Sequence, residues 1–137
     1  MPFVLDASVT LAWALDDEAS PYAVSVLESL RQDEGLVPSV WQLEVANGLL
    51  VAARRGRISP TQSAEAIDIF LSLPIAVAGV SPELAMRSVL ELARSQRLTA
   101  YDAAYLDLAM RQGLRLATQD GDLRIAAGRV GVSLLET

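Results

Sequence analysis

Five carboxylates are the candidates for chemistry in this chain. Asp6 closes the apolar run Phe3-Val4-Leu5, Glu44 falls inside an apolar helical stripe, and Asp102 follows Thr99 by three residues. Asp120 and Asp122 lie in Thr118-Gln119-Asp120-Gly121-Asp122, directly after the strand-like Leu114 to Ala117. With 0 Cys and 0 His among 137 residues, thiolate nucleophiles and imidazole bases are excluded. What is left for metal chemistry is oxygen, which suits Mg²⁺ or Mn²⁺ rather than zinc or copper. The balance of 11 basic residues, all Arg, against 17 acidic ones gives a net charge of −6. That balance argues against a polyanionic partner, because phosphate binding relies on Lys and Arg, unless the carboxylates themselves hold a cation. Arg54, Arg55 and Arg57 form the one basic cluster; they read equally as a solvated helix end or as phosphate contacts.

The elements that must position these acids alternate in type. Pro2 to Leu5 reads as a short buried strand and Ser8 to Leu15 as a helix. Ser20-Pro21 opens a helix with Val24, Leu27 and Leu30 at helical spacing, and Leu36-Val37-Pro38 is a second strand. Ser39, with Gln42 three residues on, has capping-box spacing for a helix running to about Arg55-Gly56. Ser59-Pro60 and Ser81-Pro82 each start a further helix, on either side of the apolar strand Ile75 to Val80. Thr99 caps one more helix, which Gly113 stops. Leu114 to Ala117 and Val130 to Leu135 read as the last strands, with a short helix between them. Alternation without hairpin signals predicts one α/β domain over 1–137, a mainly parallel sheet covered on both faces. In such sheets ligands bind beyond the carboxyl ends of the strands, where Asp6 stands.

Each acid also has a plain structural reading. At about 100° per residue, Val40, Leu43, Asn47, Leu50 and Val51 share a face that includes Glu44, a costly place for an unpaired carboxylate. An ion pair with an Arg is the alternative. Trp41, Val45 and Leu49 make this helix apolar nearly all round, so a second face is expected to meet another subunit. In the Thr99 helix the expected buried face is Tyr101, Ala104, Tyr105 and Leu108, with Asp102 on its flank and Asp107 in water. Asp102 by itself reads as a first-turn acid, and Asp120 as the start of the last helix. Together they read differently. Asp6, Asp120 and Asp122 follow strands, and Glu44 and Asp102 sit on helices able to face the same end. Clustered acids raise one another's pKa unless a cation neutralises them, so a metal site is the economical reading.

The blocks Leu5-Asp6-Ala7-Ser8, Glu44-Val45-Ala46-Asn47, Tyr101-Asp102-Ala103-Ala104-Tyr105 and Thr118-Gln119-Asp120, in this order and spacing, resemble the PIN-domain ribonuclease family. Within it they are similar to the VapC-like toxins of type II toxin–antitoxin systems. The resemblance implies a PIN-like three-layer sandwich and an acidic quartet of Asp6, Glu44, Asp102 and Asp120 on one or two Mg²⁺ or Mn²⁺ ions. Asp122 is a further candidate ligand; Ser8, Asn47, Thr118, Arg54 and Arg55 are candidate supporting residues. It implies endonucleolytic RNA cleavage leaving 5′-phosphate and 3′-hydroxyl ends, a homodimer, and inhibition by a small antitoxin. Trp13, Leu15 and Trp41 are the apolar residues expected to be surplus to one core.

Three rivals stand beside this reading. A phosphatase with Asp6 as nucleophile lacks both a second Asp two residues on and any Lys. A PIN-type nuclease of RNA maturation and a non-catalytic PIN-like binding module share the same residues. A short upstream reading frame for a DNA-binding antitoxin separates the toxin from these. Although 52% of residues are hydrophobic, charges interrupt the apolar segments well before bilayer-crossing length, so no membrane span is expected. Asp6, Asp16, Asp17 and Glu18 break any signal-peptide pattern, and a cytoplasmic protein is expected.

Overall fold

Phe3–Leu5 forms β1, and Asp6 turns the chain at once into helix α1 (Ala7–Ala14). The structure, a computed structural model, describes residues 1–136. A 3-10 turn (Asp16–Glu18) leads to α2 (Pro21–Ser29), where the Ser20 hydroxyl accepts from the Ala23 amide and Pro21 occupies the first turn. Then come β2 (Gly35–Pro38), α3 (Val40–Arg54), α4 (Pro60–Ser72) and β3 (Ile75–Ala78). Helix α5 (Pro82–Leu84) passes through a π-helical segment (Ala85–Val89) into α6 (Leu90–Gln96). The chain finishes with α7 (Ala100–Gln112), β4 (Leu116–Ala117) and α8 (Gly121–Val130).

The strands make one parallel sheet in the order β3-β2-β1-β4. Side chains alternate across a strand, yet Phe3, Val4 and Leu5 are all fully buried, so both faces of β1 are covered. Helix α7 lies against β1, β2 and β4 with α6 and the π segment beside it, while α1, α2, α3 and α4 pack as the other group. The expected three-layer α/β sandwich is therefore present. Register matters most at the centre. Leu5 aligns with Ala117, and the Asp6 amide donates to the Ala117 carbonyl at 3.0 Å, so Asp6 and Thr118 leave the sheet side by side at its carboxyl edge.

Several local expectations are corrected. Val130 to Leu135 is not a strand: α8 runs to Val130, Gly131 ends it at φ +78°, and only an isolated Leu116–Leu134 bridge follows. Ser39 has helical backbone angles and makes no side-chain cap. The reciprocal capping box belongs instead to Ser59 and Gln62, where extended backbone at Ser59 lets its hydroxyl reach the Gln62 amide. On α2 the buried residues are Ala23 and Val26, with Leu30 just past its end, while Val24 is 56% exposed. On α3 the buried face is Trp41, Val45, Leu49 and Ala52, whereas Leu43 is 73% exposed. A helix apolar nearly all round leaves its periodicity ambiguous, and the deciding contact is long-range: the Trp41 indole N–H donates to Thr10 Oγ1 at 3.0 Å on α1. Trp41 and Leu15 are thus core residues, and Trp13 packs against the core with its indole bonded to the Ala23 carbonyl.

Helix α7 is buried on two sides. Tyr101 is 61% exposed, and Asp107, expected in water, is buried. Ala103 and Asp107, one turn apart, face the π segment and α6, where Val89 and Ala93 pack on Ala103. The Asp107 carboxylate accepts from Ser88 Oγ at 3.0 Å and from Arg111 Nε at 2.7 Å, the partners a buried charge requires. No helix among the described residues is long and apolar enough to cross a membrane.

Candidate active site

The edge where β1 and β4 end opens into a cleft of about 600 Å³. Its lining includes Asp6, Ser8, Glu44, Asn47, Asp102, Gln119 and Asp120. Pairing of β1 with β4 sets the first contact: Thr118 Oγ1 donates to Asp6 Oδ2 at 2.7 Å, and Ser8 Oγ, on the first turn of α1, donates to the same oxygen at 2.6 Å. Asp6 is buried, and burial pushes its carboxyl pKa up. The two hydroxyls oppose that rise, and the Asp120 charge adds to it.

Glu44 stands half-buried on the second turn of α3, at the border of the buried face rather than within it. At Gly48, one turn on, a Cβ would meet the tip of the Leu11 side chain, Cδ1 at 2.5 Å, so the glycine leaves room for Leu11 of α1 in its present rotamer. Glu44 Oε1 accepts from the Tyr105 hydroxyl at 2.7 Å. Burial raises its pKa, the tyrosine lowers it, and Asp6 raises it again. Asp102 lies in the first turn of α7, its amide donating to Thr99 Oγ1 at 3.1 Å. Burial first, then the charges of Asp120, Asp6 and Glu44, push its carboxyl up to about 6. Asp120 does cap α8, accepting from the Leu123 amide at 3.0 Å, while its own amide donates to Thr118 Oγ1 at 3.0 Å. Capping and cleft lining are both true of it.

The quartet therefore shares one cleft with Ser8 and Asn47, and Thr118 sits just behind it. Asp122 does not join them: it is exposed on the first turn of α8 and lies outside the lining. Arg54 and Arg55 are exposed at the far end of α3, the solvated helix end rather than a cleft wall. Arg57 is engaged by Asp17 at 2.6 Å and Glu18 at 3.5 Å. Sequence reasoning missed Glu18 and Gln119 in the lining and the bond from Tyr105 to Glu44. Gln119, flanked by Thr118 and Asp120, carried a usable signal in its position. For Glu18, placed by a 3-10 turn, the sequence had none.

Among the described residues no ion pair reaches Asp6, Glu44, Asp102 or Asp120. Mutual repulsion in a partly desolvated cleft is then left without a cation. Nor, among the described residues, do three acids close on a single point as a ready-made ligand cage. The chemistry of the donor set is what bears on the ion: oxygen ligands without His or Cys suit Mg²⁺ or Mn²⁺ rather than zinc or copper, and Mg²⁺ keeps several of its waters and takes only one or two direct carboxylates. An oxygen-only donor set around an open cleft of this size accommodates a hydrated ion.

Comparison with known proteins gives a consistent result. The model of the PIN domain family matches residues 3–129. Ribonuclease VapC3 of Pyrobaculum aerophilum is 29% identical over 123 residues, 90% of this chain and 92% of that protein. The crystal structure of PAE2754 from Pyrobaculum aerophilum superposes with a TM-score of 0.69 at 25% identity, covering 92% of this chain and 84% of that one. VapBC2 from Rickettsia felis, solved with a DNA fragment from their promoter, gives a TM-score of 0.68 at 17% identity, covering 99% and 98%.

Proposed function

The chain belongs to the PIN domain family, and from that premise we propose that it is a metal-dependent endoribonuclease, the toxin of a toxin–antitoxin pair acting in the cytoplasm. The observation that carries this reading is the cleft itself, which Asp6, Glu44, Asp102 and Asp120 line together, with no ion pair reaching any of them among the described residues. These residues would hold Mg²⁺ or Mn²⁺, which when bound supplies positive charge opposite a phosphodiester and makes water a better nucleophile at neutral pH. The chain's own groups do the rest. Ser8 and Thr118 hold Asp6 through Oδ2, and helix capping holds Asp120, so their charges meet the substrate without reorganisation. Burial and the charges of Asp120, Asp6 and Glu44 push the Asp102 carboxyl up to about 6, into a range where a carboxylate can take up a proton near neutral pH. A cleft carboxylate such as Asp102 or Asp120 takes the proton of the attacking water, whose oxygen joins phosphorus as the 3′ oxygen leaves and takes a proton from solvent. The products are 5′-phosphate and 3′-hydroxyl ends.

The name Ribonuclease VapC3 supports the ribonuclease reading. Incubation of the purified protein with a labelled RNA panel is expected to give cleavage with Mg²⁺ or Mn²⁺, none after chelation, and recovery when the ion is restored. Cleavage indifferent to chelator overturns the metal site. For partners, α3 and α4 carry unpartnered apolar residues: Leu43 at 73% exposure, Leu71 at 77%, and a groove between them lined by Trp41, Val45, Ile67 and Phe70. This surface fits a second copy and an antitoxin. Light scattering at micromolar concentration is expected to read twice the chain mass for the isolated toxin, and a monomer counts against the homodimer.

A further inference from the structure

Tyr105 is fully buried in the middle of α7, its ring in the main core. A buried phenol must find a hydrogen-bond partner, and a backbone carbonyl suffices, as Tyr22 shows by donating to the Leu135 carbonyl at 2.8 Å. Tyr105 instead donates at 2.7 Å to Glu44 Oε1, a carboxylate of the cleft on another helix. A glutamate on a helix surface has several rotamers open to it, and most would carry its charge away from Asp6. Tethering Oε1 to a ring that the core immobilises removes that freedom. Oε2 is left as the oxygen available to the cleft.

The geometry points to Tyr105 as a positioning residue of the ion site, holding Glu44 in the rotamer that offers Oε2 to a divalent cation. This rests on the reading of Glu44 as a ligand in the proposed function. Groups that orient a metal ligand typically account for 10- to 100-fold in affinity. The contact is a single hydroxyl, so it can be deleted without changing the shape of the core.

The test is Mn²⁺ calorimetry on the parent, Tyr105→Phe, Glu44→Gln and the double variant, with a thermal melt of each. Tyr105→Phe is expected to weaken Mn²⁺ by about 10-fold or more, yet to add less than about 2-fold once Glu44→Gln is present, because the two act through one carboxylate. Parent-like affinity in Tyr105→Phe overturns the proposal, as does an equal loss in the Glu44→Gln background, which would mark general damage to packing. If Tyr105→Phe does not fold, the parent still decides: Mg²⁺ addition should give a tyrosine ultraviolet difference signal that survives both Tyr22→Phe and Tyr101→Phe, the other two tyrosines, and its absence overturns the proposal. A parent that binds no Mn²⁺ at all sinks the metal-site reading itself, a different result from any of these.

Discussion

Asp6→Asn is expected to abolish metal-dependent RNA cleavage while raising the melting temperature. The loss of activity follows from position. Asp6 follows β1 directly, is fixed by Ser8 and Thr118 and feels the charge of Asp120, so the substitution withdraws a central negative charge from the cleft. Charge stabilisation by a bound ion is worth several kcal/mol, which corresponds to about 10³-fold or more in rate. The gain in stability follows from the same geometry. An asparagine Oδ1 can accept from both hydroxyls that now bond Oδ2, and its amide would turn toward neighbouring carboxylates as a donor. Burial of the native carboxylate, the dominant influence on its raised pKa, would be relieved. Relief of such a functional-site penalty is typically about 0.5–2 kcal/mol, or a few degrees in a calorimetric melt of metal-free protein at pH 7.5. Retained cleavage in the pure variant removes Asp6 from the active site. A lower melting temperature would instead show that the charge supports the fold.

What the sequence could reveal was governed by locality. An apolar run that stops at an acid, or a Thr-Gln-Asp after a strand, is contained within a few residues, and Asp6 and Asp120 were legible for that reason. Glu44 was found by an argument whose premise failed: the face holding Leu43 and Leu50 is exposed, and the acid sits at the border of the face set by Trp41. In α7 a one-faced helix was assumed. Packing against the sheet on one side and against α6 on the other buries both Tyr105 and Asp107, and no periodicity distinguishes a doubly buried helix with small residues from an amphipathic one. The link from Tyr105 to Glu44 joins positions 61 residues apart, and Ser20 to Gln119 joins positions 99 apart. Contacts of that separation are decided by how helices dock. Val130 to Leu135 has a strand's composition, but the register β4 offers it is only a bridge.

Without divalent ions, the protein is expected to be more stable at pH 5 than at pH 7.5, the reverse of ordinary acid sensitivity. The sign comes from Asp102. Its carboxyl is raised in the folded chain from 3.8 to about 6, so between those values the folded state binds more protons than the unfolded state. Stability from this group is then fully present below pH 3.8 and is lost as pH rises through about 6. Asp6 and Glu44 are raised as well and act in the same direction. Asp17, lowered by Arg57, acts in the opposite sense, but only below the ordinary carboxylate range and so beneath this window. Between pH 5 and pH 7.5 the Asp102 shift is worth about 1.4 kcal/mol, and because the group is only half-buried solvent screening leaves about 1 kcal/mol or less. A divalent ion competes with those protons for the same oxygens. Mn²⁺ should therefore raise the melting temperature strongly at pH 7.5 and little at pH 5, bringing the two curves together. A metal-free melting temperature that is higher at pH 7.5 than at pH 5 would mean that the four carboxylates do not repel one another as their shared cleft requires, and the case for a cation among them would lose its physical basis.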